Sequence, residues 1–214
     1  IALKEIGVAD ITIDLSFPRI VAQILDKHKV AEETREKIKA ALDRRSADGL
    51  KNYGKKLSDV LSQLMKTAGP GEKALKALAA LGDFKADVQK LKTIHTGIAR
   101  AVKELGFSDV KITIDAAEMR GFKYHSGMGF TIFSAGVSGE LGRGGRYNIH
   151  FGEQKPVESA CGFTLYMDSV RKAMPPAREK KIVNVSAGEN WAKIRSEQKS
   201  GVVIVRGKSK RKKK

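Results

Sequence analysis

Arg120-Gly-Phe-Lys-Tyr-His-Ser126, followed about a dozen residues later by Gly139-Glu-Leu-Gly-Arg-Gly-Gly-Arg-Tyr147, decides how the rest of the chain is read. Side chains alternate along an extended strand, so Arg120, Tyr124 and Ser126 are expected on one face. His125 then turns away, to a packed or hydrogen-bonded position rather than to acid–base work. The second stretch adds Arg143, Arg146 and Tyr147, with Gly144 and Gly145 between them. Guanidinium groups for a carboxylate, with aromatic and hydroxyl groups for the remainder, are an inventory suited to a small zwitterion. Gly136–Gly145 reads as a loop or a ligand flap, and Gly142-Arg-Gly-Gly-Arg146 as an anion cradle whose glycines expose backbone amides. It is not a Walker loop, because the Gly-Lys-[Ser/Thr] ending is absent.

Upstream, Asp10-Ile-Thr-Ile-Asp-Leu15 alternates like a strand that needs neighbours. Ser16 is placed to cap the helix that follows, with Pro18 in its first turn. Helical periodicity then runs to about Leu105, over Phe17–Val30, Glu32–Arg45, Leu57–Thr67, Glu72–Leu81 and Phe84–Leu105. Gly49, Gly54, Gly69-Pro-Gly71 and Gly82 punctuate it. Strand patterns return at Val110–Ile114 and Tyr124–Phe133. Ala160–Met167 reads as a strand running into a helix. Beyond the break at Met174-Pro-Pro-Ala177, Ile182–Val185, Trp191–Gln198 and Val202–Val205 make a strand–helix–strand unit, with Trp191 expected to pack it. The division expected is a core over 1–175, with helices inserted over about 17–107, a small unit over 176–206 and a disordered basic tail over 207–214.

Composition narrows the function classes. No apolar run approaches the roughly 20 residues that span a bilayer, and the start lacks the layout of a secretory signal. A single cysteine, Cys161, forms no internal disulfide; a reduced, cytoplasmic setting and a packing role for the thiol are expected. The four histidines, at 28, 95, 125 and 150, show no metal-binding spacing. Paired carboxylates for acid–base work are not evident. Asp115 and Glu118 either fix Arg120 from behind or lie on the surface, and Glu32, Glu33 and Glu36 form a solvated helix face. The net charge of +17 invites a nucleic-acid reading, but seven basic residues lie in Arg206–Lys214, where there is no acid. That tail either touches RNA or solubilises the chain. No stacking aromatic or RNA-binding motif accompanies it in the sequence.

Three motifs stand in order: Met119-Arg-Gly-Phe-Lys-Tyr-His-Ser-Gly127, Gly139–Tyr147 and Ala160-Cys-Gly-Phe-Thr-Leu-Tyr-Met-Asp168. They resemble the two histidine-binding motifs and the third class II motif of the histidyl-tRNA synthetases, over roughly residues 1–175. The resemblance implies an α+β fold: a class II aminoacyl-tRNA synthetase-like antiparallel sheet with a helical insertion, plus the small β-α-β tail. In active enzymes of that family the third motif ends in Gly-hydrophobic-[Glu/Asp]-Arg, where glycine admits adenine and arginine clamps the triphosphate. Here Tyr166 and Ser169 occupy those places, and Arg171 comes two residues late. Lys123, His125 and Asn148-Ile149 depart from the pattern as well. Adenylation is therefore expected to be lost and amino-acid binding partly kept.

That combination is similar to the regulatory subunits of ATP phosphoribosyltransferase, synthetase-like paralogues that partner a short-form catalytic subunit in histidine biosynthesis. The resemblance implies a non-catalytic histidine sensor with no cofactor and no metal. It also implies a hetero-oligomer with that catalytic subunit, L-histidine as ligand, and no membrane or tRNA partner. Arg120 would pair with the histidine carboxylate and Tyr124 would line the imidazole pocket, with Ser126 on the same strand. Tyr147, Gly144 and Gly145 would close the pocket, with Glu140, Arg143 and Arg146 at its rim. The first two class II motifs are expected N-terminal of Ile1, making this a C-terminal portion. The alternatives are a divergent or truncated histidyl-tRNA synthetase and a basic RNA-binding module.

Overall fold

The computed structural model describes residues 1–119, 125–151, 157–176, 181–186 and 188–207, without the side chains of His125 and Arg206. A short helix α1 (Ala2–Glu5) leads into strand β1 (Ile11–Ser16). Helices α2 (Arg19–Lys27), α3 (Glu32–Asp43), α4 (Ala47–Leu50) and α5 (Lys55–Lys66) follow, with a 3-10 turn at Lys51–Tyr53. A two-residue strand β2 (Gly69–Pro70) precedes α6 (Gly71–Ala80) and the long α7 (Lys85–Glu104). The chain then returns to sheet as β3 (Lys111–Asp115), β4 (His125–Ser134), β5 (Gly142–Ile149) and β6 (Glu158–Leu165), and α8 (Met167–Ala173) ends this part.

The six strands form one sheet in the order β2-β3-β1-β4-β5-β6. All neighbours are antiparallel except β1 and β3, which run parallel from Thr12↔Lys111 to Ser16↔Asp115. A parallel pair needs a long crossover, and helices α2 to α7 supply it. The fold is thus α+β with a mostly antiparallel sheet, and the inserted helices join two adjacent strands.

Local chemistry explains where the elements depart from expectation. Ser16 caps no helix: it closes β1, pairing with Gly129 and Asp115, and Pro18 takes the cap position of α2 without a side-chain bond. The glycine-rich stretch is only half a loop, because β5 begins at Gly142. A Cβ on Gly142 would stand 2.4 Å from the carbonyl oxygen of Thr164, so the missing side chain lets β5 and β6 pair closely. Gly71 does more than punctuate: a Cβ there would lie 2.2 Å from Nε2 of the buried His95, so glycine lets α6 cross α7.

One side of the sheet, the back, carries Ile13, Leu15, Ile112, Ile114 and Phe130 into the main core. Helix α2 meets it with Ile20, Val21, Ile24 and Leu25, one stripe at helical spacing. Leu61 and Leu64 of α5, Leu78 of α6 and Leu91 of α7 complete the interior. A second cluster joins Leu3, Val8, Ile11, Leu141 and Val170, fixing α1 and α8.

The chain divides into two compact units, Ile1–Met174 and Pro175–Lys214. In the second, β7 (Ile182–Val185) and β8 (Val203–Arg206) pair in parallel, and α9 (Trp191–Lys199) lies between them in sequence. Ile194 is the buried helix residue, at 4% exposure. Trp191, expected inside, is 68% exposed at the first turn of α9.

Candidate functional site on the sheet front

Residues paired across neighbouring strands point to the same side of a sheet, so the register sorts the candidate residues without appeal to function. On the front, Thr113, Asp14, Thr131, Arg143 and Thr164 form one cross-strand row. The next row toward the other strand ends is Asp115, Ser16, Gly129, Gly145 and Gly162. Three adjacent strands therefore meet at positions with no side chain. Tyr147 borders them, and a Cβ on Gly162 would be 3.3 Å from its ring, so the ring lies over that glycine.

The polar row is internally bonded. The Thr113 hydroxyl donates to the Asp14 carboxylate. The Arg143 guanidinium grips Glu140 with two bonds, one from Nε at 3.0 Å and one from a terminal amino group. Such a two-pronged pair fixes the guanidinium plane. The Arg143 guanidinium carbon also stands 5.9 Å from the centre of the Tyr166 ring, a cation–π distance. Tyr166 caps α8 and donates its N–H to the Leu141 carbonyl at 2.8 Å. An aromatic ring therefore occupies the end of the front face beside Arg143.

Not every candidate lies on this side. Alternation puts Gly144 and Arg146 on the back. A Cβ on Gly144 would stand 2.7 Å from the Phe130 ring, so its space is filled by core packing rather than by a ligand. Arg146 donates from Nε to the Ser159 hydroxyl at 2.7 Å. Cys161 pairs with Arg146 across the strands and is exposed, not packed inside. Asp115 makes an ion pair with Arg45, beyond the end of α3, and accepts the Ala117 N–H at 3.1 Å. Arg120 and Tyr124 lie outside the described residues. His125 stands opposite Tyr147 in the backbone register, and β4 shifts register between His125 and Gly129. Ser126 falls within that irregularity, with Gly145 and Arg146 around a cavity of about 670 Å³.

Sequence reasoning singled out Asp115 but missed Asp14 of β1 and Thr113 of β3. Asp14 was legible as the polar partner of Ile13 and Leu15 in an alternating strand, but its neighbours Thr113 and Thr131 follow only from the pairing. Among the described residues, no cluster of His, Cys, Asp and Glu is arranged to hold a metal ion, and no helix is long and apolar enough to cross a membrane.

Comparison with known proteins fits this architecture. Residues 1–170 match the family model of histidyl-tRNA synthetase. The chain is 34% identical over 209 residues to the ATP phosphoribosyltransferase regulatory subunit of Paramagnetospirillum magneticum, covering 96% of this chain and 52% of that protein. It spans about half the length of the curated relatives it matches. Among solved structures, an ATP phosphoribosyltransferase regulatory subunit/histidyl-tRNA synthetase from Bacillus halodurans superposes with a TM-score of 0.65 at 18% identity, over 96% of this chain and 55% of that one. The ATP phosphoribosyl transferase (HisG:HisZ) complex from Thermotoga maritima gives 0.55 at 14% identity, over 77% of this chain and 56% of the other. These two likenesses show the fold. The matched span of 170 residues, with the sheet built as described, means that the chain belongs to the histidyl-tRNA synthetase family and is similar, within it, to the regulatory subunits of ATP phosphoribosyltransferase.

Proposed function

We propose that this chain is part of a non-catalytic regulatory subunit of ATP phosphoribosyltransferase and contributes a histidine-sensing surface on the front of the sheet. The relatives that bear that name support the family role, and the Thermotoga complex names the kind of catalytic partner. The single observation that carries the ligand reading is the row Gly129, Gly145 and Gly162, bordered by Tyr147 and by the polar row of Asp14, Thr131 and Arg143. Three strands without side chains let a small ligand approach the backbone, and the surrounding groups suit a zwitterion. Arg120 would take the carboxylate and Tyr124 the imidazole, with Ser126 beside them; Tyr147 would cover the ligand, with Glu140 and Arg143 at the edge. The tyrosine at position 166 and the serine at 169, where synthetases carry glycine and arginine, favour sensing over adenylation.

Histidine would regulate by binding one state of the assembly better than the other, since only differential affinity shifts an equilibrium. A coupling of about 1–3 kcal/mol gives useful feedback. Calorimetry of L-histidine is expected to give binding that falls about ten- to a hundredfold in Arg120→Ala, the scale of a lost charge-assisted bond. Tyr147→Ala should weaken it without lowering the melting temperature. ATP binding, with pyrophosphate exchange dependent on histidine, would instead assign the chain to an active ligase. Histidine binding that leaves the partner enzyme's rate unchanged would sink the regulatory reading.

A further inference from the structure

Arg146 and Tyr147 are neighbours in β5 that serve opposite sides of the sheet. Behind β5, the cavity of about 670 Å³ lies between α2, α7 and strands β4 to β6. Arg19, Lys90 and Arg146 line it, and among the described residues no acidic side chain does. Phe17, Ile94, Met128 and Phe130 form its apolar wall. Asp87 is the nearest counter-charge: it is 4% exposed, accepts a bond from Gln23 at 2.8 Å, and stands 4.0 Å from Arg19 and 3.9 Å from Lys90. Both of those ion pairs are at the outer limit of contact. Among the described residues one buried carboxylate thus offsets one of three cations, and Arg146 gives its Nε to Ser159.

We propose that this cavity is a second ligand site behind the sheet, and that it takes an organic phosphate monoester carrying a flat aromatic ring. A phosphate monoester has up to two negative charges and three free acceptor oxygens, which suits a cavity lined by three cations; a carboxylate offers one charge and two oxygens. The ring would lie against the phenylalanines, as apolar walls with a few placed polar groups are the usual make-up of a small-molecule site. Its charged residues are on α2, on α7 and on the back of β5, apart from the front groups of the histidine reading; Ser126 and Gly145, which also line the cavity, are the positions where the two sites adjoin.

The chain carries its own reporter. Cys161 lines this cavity, is exposed, and is the only cysteine in the sequence. Its alkylation by iodoacetamide reads occupancy when each variant's rate is compared with that variant's own rate without ligand, because the neighbouring cations also set the thiolate fraction. With AMP as the probe, the rate should fall several-fold, with a half-protecting concentration that agrees with calorimetry. Adenosine and inorganic phosphate, each half of the ligand, should protect at least tenfold less well. Lys90→Gln and Arg146→Gln, both at exposed side chains, should each raise the half-protecting concentration about tenfold, the scale of one charge-assisted bond. Arg143→Gln, on the front, should leave it unchanged. The proposal is overturned if millimolar AMP leaves the alkylation rate unchanged, if adenosine protects as well as AMP, or if protection is lost in Arg143→Gln and kept in the other two.

Discussion

The back of the sheet sends Ile13, Leu15, Ile112, Ile114 and Phe130 into the helical core, whereas the front presents Asp14, Ser16, Thr113, Asp115 and Thr131 from the same three strands. The two sets interleave residue by residue. Each strand therefore encodes packing and chemistry at once, and a shift of one residue in register would exchange them. The back fixes that register: Leu15 and Ile114 are buried there and Ile13, Ile112 and Phe130 half-buried, which gives the slipped alternative a heavy penalty. The front is then free to carry polar groups and glycines that would be poor choices for stability, because its geometry is held from behind.

Substitutions on the two faces test this division. The largest effect is expected from Leu15→Ala on the back, which is fully buried; a lost leucine side chain with a residual cavity costs about 2–5 kcal/mol. Thr131→Ala, one strand away on the front, should change stability by less than about 0.5 kcal/mol. Thermal melts of the two variants side by side decide the matter, and equal losses would mean that the front is packed like the back. Gly144→Ala sharpens the comparison within β5. Its Cβ would stand 2.4 Å from the Gly162 carbonyl oxygen and 2.6 Å from the Phe163 Cβ. Overpacking of this kind costs about 1–3 kcal/mol. Loss of histidine affinity at unchanged melting temperature would instead give Gly144 a ligand role and contradict its placement on the back.

Much of this was legible in the sequence, for reasons that differ by element. Helices α2, α3, α5, α6 and α7 were readable because each buries an apolar stripe at a helical repeat, as Ile20, Ile24 and Leu25 do in α2; the four-residue α4, which buries only Leu50, was not. The strands β1 and β3 announced themselves by alternation in Ile11-Thr-Ile-Asp-Leu15 and Lys111-Ile-Thr-Ile114. Position within the sheet was not legible. That β1 and β3 run parallel, and that Gly129, Gly145 and Gly162 stand in one row, depends on pairings between residues far apart in the chain. The glycine-rich stretch misled because glycine signals a loop as readily as a close strand approach; only the neighbours of Gly142 and Gly144 distinguish them. Trp191 was expected to pack the small unit, but a strand–helix–strand unit of some 40 residues has little interior, and Ile194 is its buried helix residue. The candidate site was legible as a set of residue types and not as a face: Arg146 and Gly144 belonged to the right strand and the wrong side.

The smallest expected effect concerns what ties the edge of this architecture together. Lys4 of α1 donates to Asp109 Oδ2 at 2.6 Å, and the Asp10 backbone N–H donates to the same oxygen at 3.0 Å. One carboxylate thus joins α1, the entry to β1 and the entry to β3. The Lys4 bond first, and the Asp10 N–H second, hold the Asp109 carboxyl below its ordinary value. In the unfolded chain that group binds a proton near the usual aspartate value of about 3.9. Below that value the unfolded state holds more protons than the folded one until the depressed folded value is passed. The contribution is therefore complete above about pH 5 and is lost as the pH falls through the folded value. Asp109→Asn should lower the melting temperature slightly at neutral pH, and the gap to the parent should close on acidification toward pH 3. Asp48, whose carboxyl is lowered by Lys51, keeps its own share of the pH dependence in the variant. Hydrogen exchange at the Asp10 amide separates the two, since only the Asp109 clamp protects that proton. Protection unchanged in Asp109→Ala, which removes the acceptor that asparagine would keep, would show that α1 is held by Leu3 and Val8 alone, and that the apolar back, not this polar clip, sets the start of β1.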